Sequence, residues 1–413
     1  MFGKRLLIGL ACTAAVCTGA AAIYGPTIAR NVAPQFFIAR AVANTSVEFL
    51  PLLSAIQEIA PKIQNDPLRN ETNLSINSID GRLAENIPPI AMPALGMMSL
   101  RNVIRVDAPR QTFATELSLQ MIVTTVLTAN LHLDSERIAV GIPELFNYQI
   151  GVDPRRLGSM LDESVLGSMI VPPGVIDDDL FYDMYSGVFA PRDYVDVEAF
   201  LRALGNFALS MEFEFVSRSD GIELYQIFVP AAQANDTINF LAEGLYFHHD
   251  MLFNLTIENN RLSGVRLIEP VESIWQIGFL GGGSVEFDIS EPYVGGFVRA
   301  NGHFIVNNNE VDFVLSTSQG DNLFTLEADG SINLNPTPDL GSWRIEAHLQ
   351  NMTIHTPDID ISLNIRNTLF ADANPIVFDD TNTRMLTDLH IFDLLEMYSR
   401  VEDTPIGGLL SGW

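Results

Sequence analysis

Hydrophobic and polar residues alternate at every second position along most of this chain. Between residues 209 and 215 the apolar side chains face one way, and Ser210, Glu212 and Glu214 face the other. The same alternation recurs in four later segments, at residues 285–289, 311–315, 343–349 and 359–365. A period of two predicts strands with one covered face and one wet face, as in antiparallel sheets.

Turn signals separate the alternating segments. They are Asp134-Ser135, Asp220-Gly221, Asn307 to Asn309, Gly320-Asp321 and Asp329-Gly330. Asp-Gly between two alternating runs is a strong hairpin signal, so we expect neighbouring strands to pair directly. The run Gly281 to Gly283 is either a boundary between β-rich regions at 67–280 and 281–413 or a bend inside one continuous sheet.

Other segments have the spacing of amphipathic helices. Residues 26–66 predict a helical segment that is broken and restarted at Pro51. Further helices are expected after Asp153-Pro154, after Asp177 to Asp179, at Val197 to Phe207, after Pro230 with Asn235 or Asp236 as cap, and at about Thr383 to Ser399. Each carries a single apolar stripe, which suits it to lie against a sheet.

These elements predict an α+β fold that is mainly antiparallel β. An antiparallel sheet with one apolar face must bury that face, and the interspersed helices can cover it. A strongly twisted sheet of a dozen or more strands does not stay flat. We therefore expect a large curled sheet, a half-barrel, with amphipathic helices covering its concave face and the helix after Pro230 acting as a lid.

The first 25 residues predict export. Lys4 and Arg5 precede an uncharged run from Leu6 to Gly25, which is about the length that a helix needs to cross a bilayer. We expect an extracytoplasmic protein tethered to the cytoplasmic membrane by this helix. The alternative is secretion after cleavage near Ala22, because Ala20 and Ala22 form a small-residue cleavage pattern.

Composition restricts the function further. The chain is 47% hydrophobic with a net charge of −28, so it is globular and repels phosphate backbones, and nucleic acid is not an expected partner. Lys4 and Lys62 are its only lysines, which excludes phosphate-loop, SxxK and Schiff-base chemistry beyond residue 62. The sequence contains no recognisable catalytic motif in its required context, so we expect no enzyme and no cofactor.

One part of the element order resembles a known superfamily. A strand, a hairpin, a strand ending in "YQIFVP", a helix and the hairpin "MLFNLTIENNRLSGVRLIE" follow one another within residues 195–270. This order resembles the closing half of the bacterial envelope lipoprotein and lipid carriers, which have a half-barrel fold. The helix-first layout also resembles uncharacterised membrane-anchored extracytoplasmic bacterial proteins. The resemblance implies an apolar ligand between sheet and helices, and it identifies no binding residue.

Apolar residues of the predicted covered face are the candidates for such a groove. They are Phe200, Leu204, Phe213, Phe215 and Phe253. Each buried methylene of an acyl chain contributes about 0.8 kcal/mol, so a groove would bind such a chain usefully. The alternative is a filled core made of the same side chains.

Metal sites are not predicted. His248 to Asp250 place two imidazoles and a carboxylate together, but adjacent strand residues point to opposite faces. The acids of Asp177 to Asp183 lack the spacing of a calcium loop and suit a helix N-terminus. His348 and His355 lie seven residues apart across an expected turn, where a shared metal is not favoured.

Three functions are therefore open at this stage. The first is a non-enzymatic envelope protein that binds an apolar or lipid-like component between sheet and helices. The second is a structural or protein-interaction module with a solid core and an unidentified protein partner. The third is an exported hydrolase that uses acidic residues.

Overall fold

We describe a computed structural model of the 413-residue chain. The structure describes residues 33–82, 85, 96–107, 109–122, 124–188, 211–238, 249–293, 296–320, 324–336, 343–372, 374 and 380–403. The predicted anchor at 1–25 and the predicted helix Val197 to Phe207 lie outside these residues. So do Phe200, Leu204 and His248.

The described residues form one large, mainly antiparallel sheet of 18 strands with a few helices. The first nine strands are β1 (Leu68–Asp80), β2 (Met98–Asp107), β3 (Thr112–Met121), β4 (Thr124–Leu133), β5 (Ile138–Gly141), β6 (Gln149–Val152), β7 (Glu212–Ser219), β8 (Ile222–Val229) and β9 (Met251–Glu258). The other nine are β10 (Arg261–Glu269), β11 (Ile274–Gly281), β12 (Ser284–Tyr293), β13 (Gly296–Asn307), β14 (Glu310–Gln319), β15 (Phe324–Asn335), β16 (Arg344–His355), β17 (Asp360–Ala371) and β18 (Thr383–Met385). The predicted α+β class with a large antiparallel sheet is confirmed at this level.

Within the described residues the helices are fewer than the strands. They are α1 (Pro34–Ser46), α2 (Leu50–Asn65), α3 (Leu157–Glu163), α4 (Val165–Ile170), α5 (Asp178–Val188), α6 (Ala231–Ile238) and α7 (Ile391–Asp403). Short 3-10 turns lie at Val47–Phe49, Pro154–Arg156, Asp380–Asn382 and Leu386–Asp388.

The chain divides into two compact units. The first contains Met1–Ser54, Asp193–Asp329 and His355–Pro357. The second contains Ala55–Arg192, Gly330–Ile354 and Asp358–Trp413. Boundaries between the two units fall inside α2, β15 and β16.

Among the described residues of the first unit, each strand from β7 to β13 pairs antiparallel with the next, up to β14. The β7–β8 turn is Asp220-Gly221, with φ angles of +51° and +83°. Both central residues of a type I′ turn require positive φ, and Asp-Gly is one of the residue pairs that adopt it readily. The predicted hairpin is therefore confirmed. Gly281–Gly283 form the turn between β11 and β12, which pair directly on either side of it.

The helix at the start of the described chain is interrupted close to the predicted place. The 3-10 turn Val47–Phe49 separates α1 from α2, and Pro51 lies in the first turn of α2. Proline is tolerated there because that N–H has no helical partner. By length and composition alone, the run Pro34–Ile63 is apolar enough to cross a membrane, although core helices and signal sequences share this property.

The second unit is built on a run of strands in the order β17-β1-β2-β3-β4-β5-β6-β18. All of these pairs are antiparallel except β6–β18. The final helix, expected at about Thr383 to Ser399, is present, but its predicted start is wrong. Residues 383–385 pair with β6 instead, and α7 begins only at Ile391.

Helices α3 and α5 begin as their acids predict. Asp153 accepts a hydrogen bond from the Arg155 N–H ahead of the turn that leads into α3. Asp177 accepts from the Leu180 N–H at the start of α5.

A small core lies where β6, α3 and the Leu386–Asp388 turn meet. Its buried residues are Phe146, Tyr148, Val152, Met160, Leu386 and Leu389.

Candidate functional site

The main apolar core of the first unit lies where strands β8 to β10 meet helices α1 and α6. We call it the Tyr225 cluster. Its buried members are Ile38, Ala41, Tyr225, Ile227, Val229, Ala234, Met251, Leu255, Ile257, Leu262 and Leu267. Ile38 and Ala41 come from α1, and Ala234 comes from α6, so both helices contribute buried residues to this core.

The period-two pattern explains why these strands share one apolar face. A single register row crosses strands β7 to β14 through Phe215, Tyr225, Leu255, Val265, Ile277, Phe287, Gly302 and Leu315. The neighbouring row points to the opposite face and consists of Glu214, Gln226, Asn254, Arg266, Gln276, Asp288, Asn301 and Ser316. On each strand the residue of the apolar row and the residue of the polar row are therefore neighbours in the sequence, and their side chains point to opposite faces.

Three of the predicted groove residues lie at the edge of this cluster. Phe213, Phe215 and Phe253 pack against it and are only partly buried. The Phe215 ring meets the Tyr225 ring edge-on at 5.3 Å between centroids. The other two candidates, Phe200 and Leu204, lie outside the described residues.

The sequence did not identify the other aromatic residues at this edge. Phe37 of α1 and Trp275 and Phe279 of β11 also pack on the cluster while remaining partly buried. Trp275 and Phe253 lie 6.4 Å apart between ring centroids. We call the six residues the aromatic rim: Phe37, Phe213, Phe215, Phe253, Trp275 and Phe279. The alternation of β11 could have revealed Trp275, but no local signal places Phe37 beside it.

A polar pair lies within the apolar face. Tyr225 is fully buried, and its hydroxyl donates to Glu223 Oε2 at 2.8 Å. Glu223 is also buried, and its other oxygen lies 3.6 Å from Arg218 Nε. A buried carboxylate is tolerated only when donors surround it, so this pair fixes the start of β8 in one arrangement.

Polar contacts fasten helix α1 to the sheet. Thr45 Oγ1 accepts from the Leu262 N–H at 2.9 Å in a buried position. Glu48 accepts from the Arg261 guanidinium and from the Gly283 N–H. The Arg261 bond first, and then the Gly283 amide, hold the pKa of Glu48 below its usual value. The first helix is thereby joined to two hairpin turns.

The cap of α6 differs from the prediction. Asp250 accepts a hydrogen bond from the Ala231 N–H at 2.8 Å and so caps the helix. Asn235 lies inside the helix and is buried, so the expectation that Asn235 or Asp236 is the cap is wrong. Asp250, the carboxylate of the His248 to Asp250 group, therefore caps a helix that begins 19 residues earlier in the sequence.

A cleft of about 390 Å³ opens in this unit across strands β11 to β13. Its lining is Gln276, Glu286, Phe287, Asp288, Asn301, Gly302 and His303. Glu286 pairs with His303 in the register between β12 and β13. Its side chain also lies over Gly278, where a larger residue would leave no room for it. The carboxylates, amides and imidazole suit hydrogen-bonding partners rather than an apolar chain.

The second unit has an aliphatic register row that the sequence analysis did not single out. Ile365, Leu74, Leu100, Leu119 and Leu127 lie opposite one another across five strands, in the order β17, β1, β2, β3 and β4. All five are half-buried. The alternation of each strand was visible, but only the register shows that these side chains form one row.

The opposite face of the same strands carries charge. Arg69 lies opposite Arg105, and His132 lies two strands beyond Arg105 across the small residue Ala114. Asp372 approaches Arg105 Nε at 3.5 Å. Burial first, and then the charge of Arg105, lower the pKa of His132.

The candidate metal residues have other contacts. Within the described part of the chain, no group of three His, Cys, Asp or Glu side chains could hold a metal ion. His348 Nε2 contacts Arg366 Nε and Asn364 Nδ2, each at 3.3 Å. Asp178 accepts from the Gly158 N–H at 2.6 Å and from Ser159, so the acids at the start of α5 join two helices.

Comparison with known proteins does not place the chain in a family. No family model matches it, and no curated protein matches it. Among solved structures, a mutant of transferrin binding protein B from Haemophilus parasuis aligns at 9% identity with a TM-score of 0.13, over 74% of this chain and 76% of that one. OccK5 from Pseudomonas aeruginosa aligns at 8% identity with a TM-score of 0.11, over 74% and 98%. At these TM-scores neither likeness carries an argument about fold or function.

Proposed function

We propose that this chain is a non-enzymatic, extracytoplasmic protein that is tethered to the cytoplasmic membrane and holds an apolar ligand, such as a lipid acyl chain, between its sheet and its helices. In this proposal the sheet curls as a half-barrel and the helices cover its concave face. The uncharged run Leu6 to Gly25 supplies the tether.

The observation that carries the proposal is the aromatic rim. Its six side chains pack on a fully buried centre and still keep part of their surface exposed. Each aromatic side chain offers a large apolar area, so a chain lying along the rim replaces water with carbon contacts. At about 0.8 kcal/mol for each buried methylene, a segment of several methylenes binds with useful affinity.

A second candidate is a tethered interaction module with a solid interior. The observation that favours it is the complete burial of Tyr225 and Ala41, both at 0% exposure, in the centre of the cluster. A centre packed in this way leaves the ligand only the rim. In this alternative the partner is a protein rather than an apolar molecule.

Tryptophan fluorescence separates the two candidates. The chain has three tryptophans, at positions 275, 343 and 413. A variant with Trp343→Phe and Trp413→Phe keeps only the rim tryptophan, Trp275. After removal of bound lipid, titration with a brominated fatty acid should quench this emission in a saturable way.

The matched control keeps Trp343 alone, through Trp275→Phe and Trp413→Phe. Trp343 is buried in the second unit and donates to Asp66, so the proposal expects little quenching there. Equal quenching in both variants would show non-specific uptake. No saturable quenching at Trp275 would remove the ligand-binding proposal and leave the interaction module.

A further inference from the structure

Helix α1, the 3-10 turn and α2 carry a second apolar side that does not face the sheet. Ile38, Ala41 and Thr45 are buried on one side. Val42, Leu50 and Leu53 are 44%, 51% and 46% exposed. Positions 42, 46, 50 and 53 follow helical spacing, so these side chains form one exposed stripe that is interrupted only by Ser46.

The stripe carries no charge. Between Ala41 and Gln57 the only ionisable side chain is Glu48, and its carboxylate is bonded to Arg261 and the Gly283 N–H. A soluble helix that packs one face on a sheet normally presents charged residues on its other side. Three large aliphatic side chains in an uncharged strip therefore indicate a surface that meets an apolar partner.

The length of the preceding chain indicates which partner this is. The uncharged run proposed as the tether ends at Gly25, and α1 begins at Pro34. The eight residues between them span at most about 28 Å when fully extended. The first turns of α1 are therefore held close to the bilayer that contains the tether.

We infer that the stripe of Val42, Leu50 and Leu53 lies in the interface of that bilayer, so that a lipid surface is its partner. This inference rests on the proposed tether. The chain's charge of −28 repels anionic headgroups, so the contact is made by insertion of aliphatic side chains and depends little on salt. It also fixes the side of the first unit that faces the membrane.

Depth-dependent quenching tests this inference on the full chain. Cys12→Ala and Cys17→Ala remove the native thiols, and Leu53→Cys then carries a single environment-sensitive fluorophore. The protein is placed in phosphatidylcholine nanodiscs with and without brominated acyl chains. The label at position 53 should be quenched at least twofold more than a label at Glu58→Cys, an exposed position on the flank of the same helix away from the stripe.

Each outcome has a distinct meaning. If the protein does not co-elute with nanodiscs, the tether fails, and both the proposed function and this inference fail with it. If it co-elutes and the two labels are quenched equally, the tether stands and this inference alone is overturned. A blue-shifted, unquenched label at position 53 also overturns it, because the stripe then contacts protein. Unchanged urea midpoints of both cysteine variants verify that the fold is intact.

Discussion

Glu48 and Arg261 form an ion pair between the 3-10 turn that follows α1 and the first residue of β10. The two residues are 213 positions apart in the sequence. The same carboxylate accepts from the Gly283 N–H at 2.9 Å in the β11–β12 turn. One side chain therefore holds the first helix against two separate hairpins.

Glu48→Gln should lower the free energy of unfolding by about 1–3 kcal/mol, because charge-assisted hydrogen bonds are lost and a guanidinium is left with a weaker acceptor. The urea midpoint measures this change. The control is Glu58→Gln, whose pair with Lys62 is exposed and should contribute less than about 1 kcal/mol. Equal losses in the two variants would contradict the role given to Glu48.

The same contact predicts a dependence on pH. Because the folded pKa of Glu48 is lowered from its ordinary value of 4.5, its stabilisation is fully present above that value and is lost as pH falls through the folded pKa. Wild-type stability should therefore fall below about pH 4.5. The stability of the Glu48→Gln variant should fall less steeply over the same pH range. If the stability curves of the two proteins run parallel, Glu48 is not the source of the pH dependence.

Tyr225→Phe should destabilise the first unit by about 1–3 kcal/mol although the ring is kept. The reason is that Glu223, a buried carboxylate, loses the hydroxyl donor at 2.8 Å. The double variant Tyr225→Phe with Glu223→Leu removes both polar partners and should recover part of the loss. Thermal unfolding of the three proteins provides the comparison, and a neutral Tyr225→Phe would contradict a structural role for the pair.

Gly302→Ala should be disruptive for a purely steric reason. A methyl group at this position would lie 2.2 Å from the Val314 carbonyl oxygen and 3.2 Å from the Phe287 ring. Overpacking of this kind costs about 1–3 kcal/mol. Gly96→Ala is the control because nothing lies within 4 Å of its added methyl. Urea unfolding should separate the two variants, and similar midpoints would contradict the close strand contact.

His132 should make the stability depend on pH near neutrality. Burial and the charge of Arg105 lower its folded pKa, so the unfolded chain binds a proton below about pH 6.5 before the folded chain does. The stabilisation is complete above that pH and decreases as pH falls. His132→Asn should flatten the slope of stability against pH below about pH 6.5, and Arg105→Gln should reduce it. An unchanged slope in both variants would contradict this assignment.

Several local signals in the sequence predicted the local structure, but the turn expected at Asp329-Gly330 is wrong, because both residues lie inside β15. Asp220-Gly221 has the positive φ angles of a two-residue turn, and Asp153 with Pro154 opens the turn before α3. These signals succeed because turns and caps depend on residues within a few positions of each other. The predicted cap of α6 was wrong because the helix begins at Ala231, so Asn235 lies inside it, and Asp250, 19 residues later, accepts from the Ala231 N–H.

The candidate site was predicted only in part for a related reason. The alternation identified Phe213, Phe215 and Phe253 as members of one apolar face, and the structure brings all three to the Tyr225 cluster. It gave no indication of Phe37, because that residue arrives on a helix from a distant part of the chain. The same limitation applies to the row from Ile365 to Leu127, which exists only through strand register.

The sequence by itself determined which residues of each strand share a face, the Asp220-Gly221 hairpin turn and the starts of the helices that follow Asp153 and Asp177. The tertiary structure alone decided which apolar faces are covered and which remain exposed. Tyr225 and Leu119 follow the same alternation, yet the first is fully buried in a core that includes residues of α1 and the second lies in a half-buried row. The physical reason is that side-chain direction is a property of a single strand, whereas burial depends on elements that reach it from far along the chain.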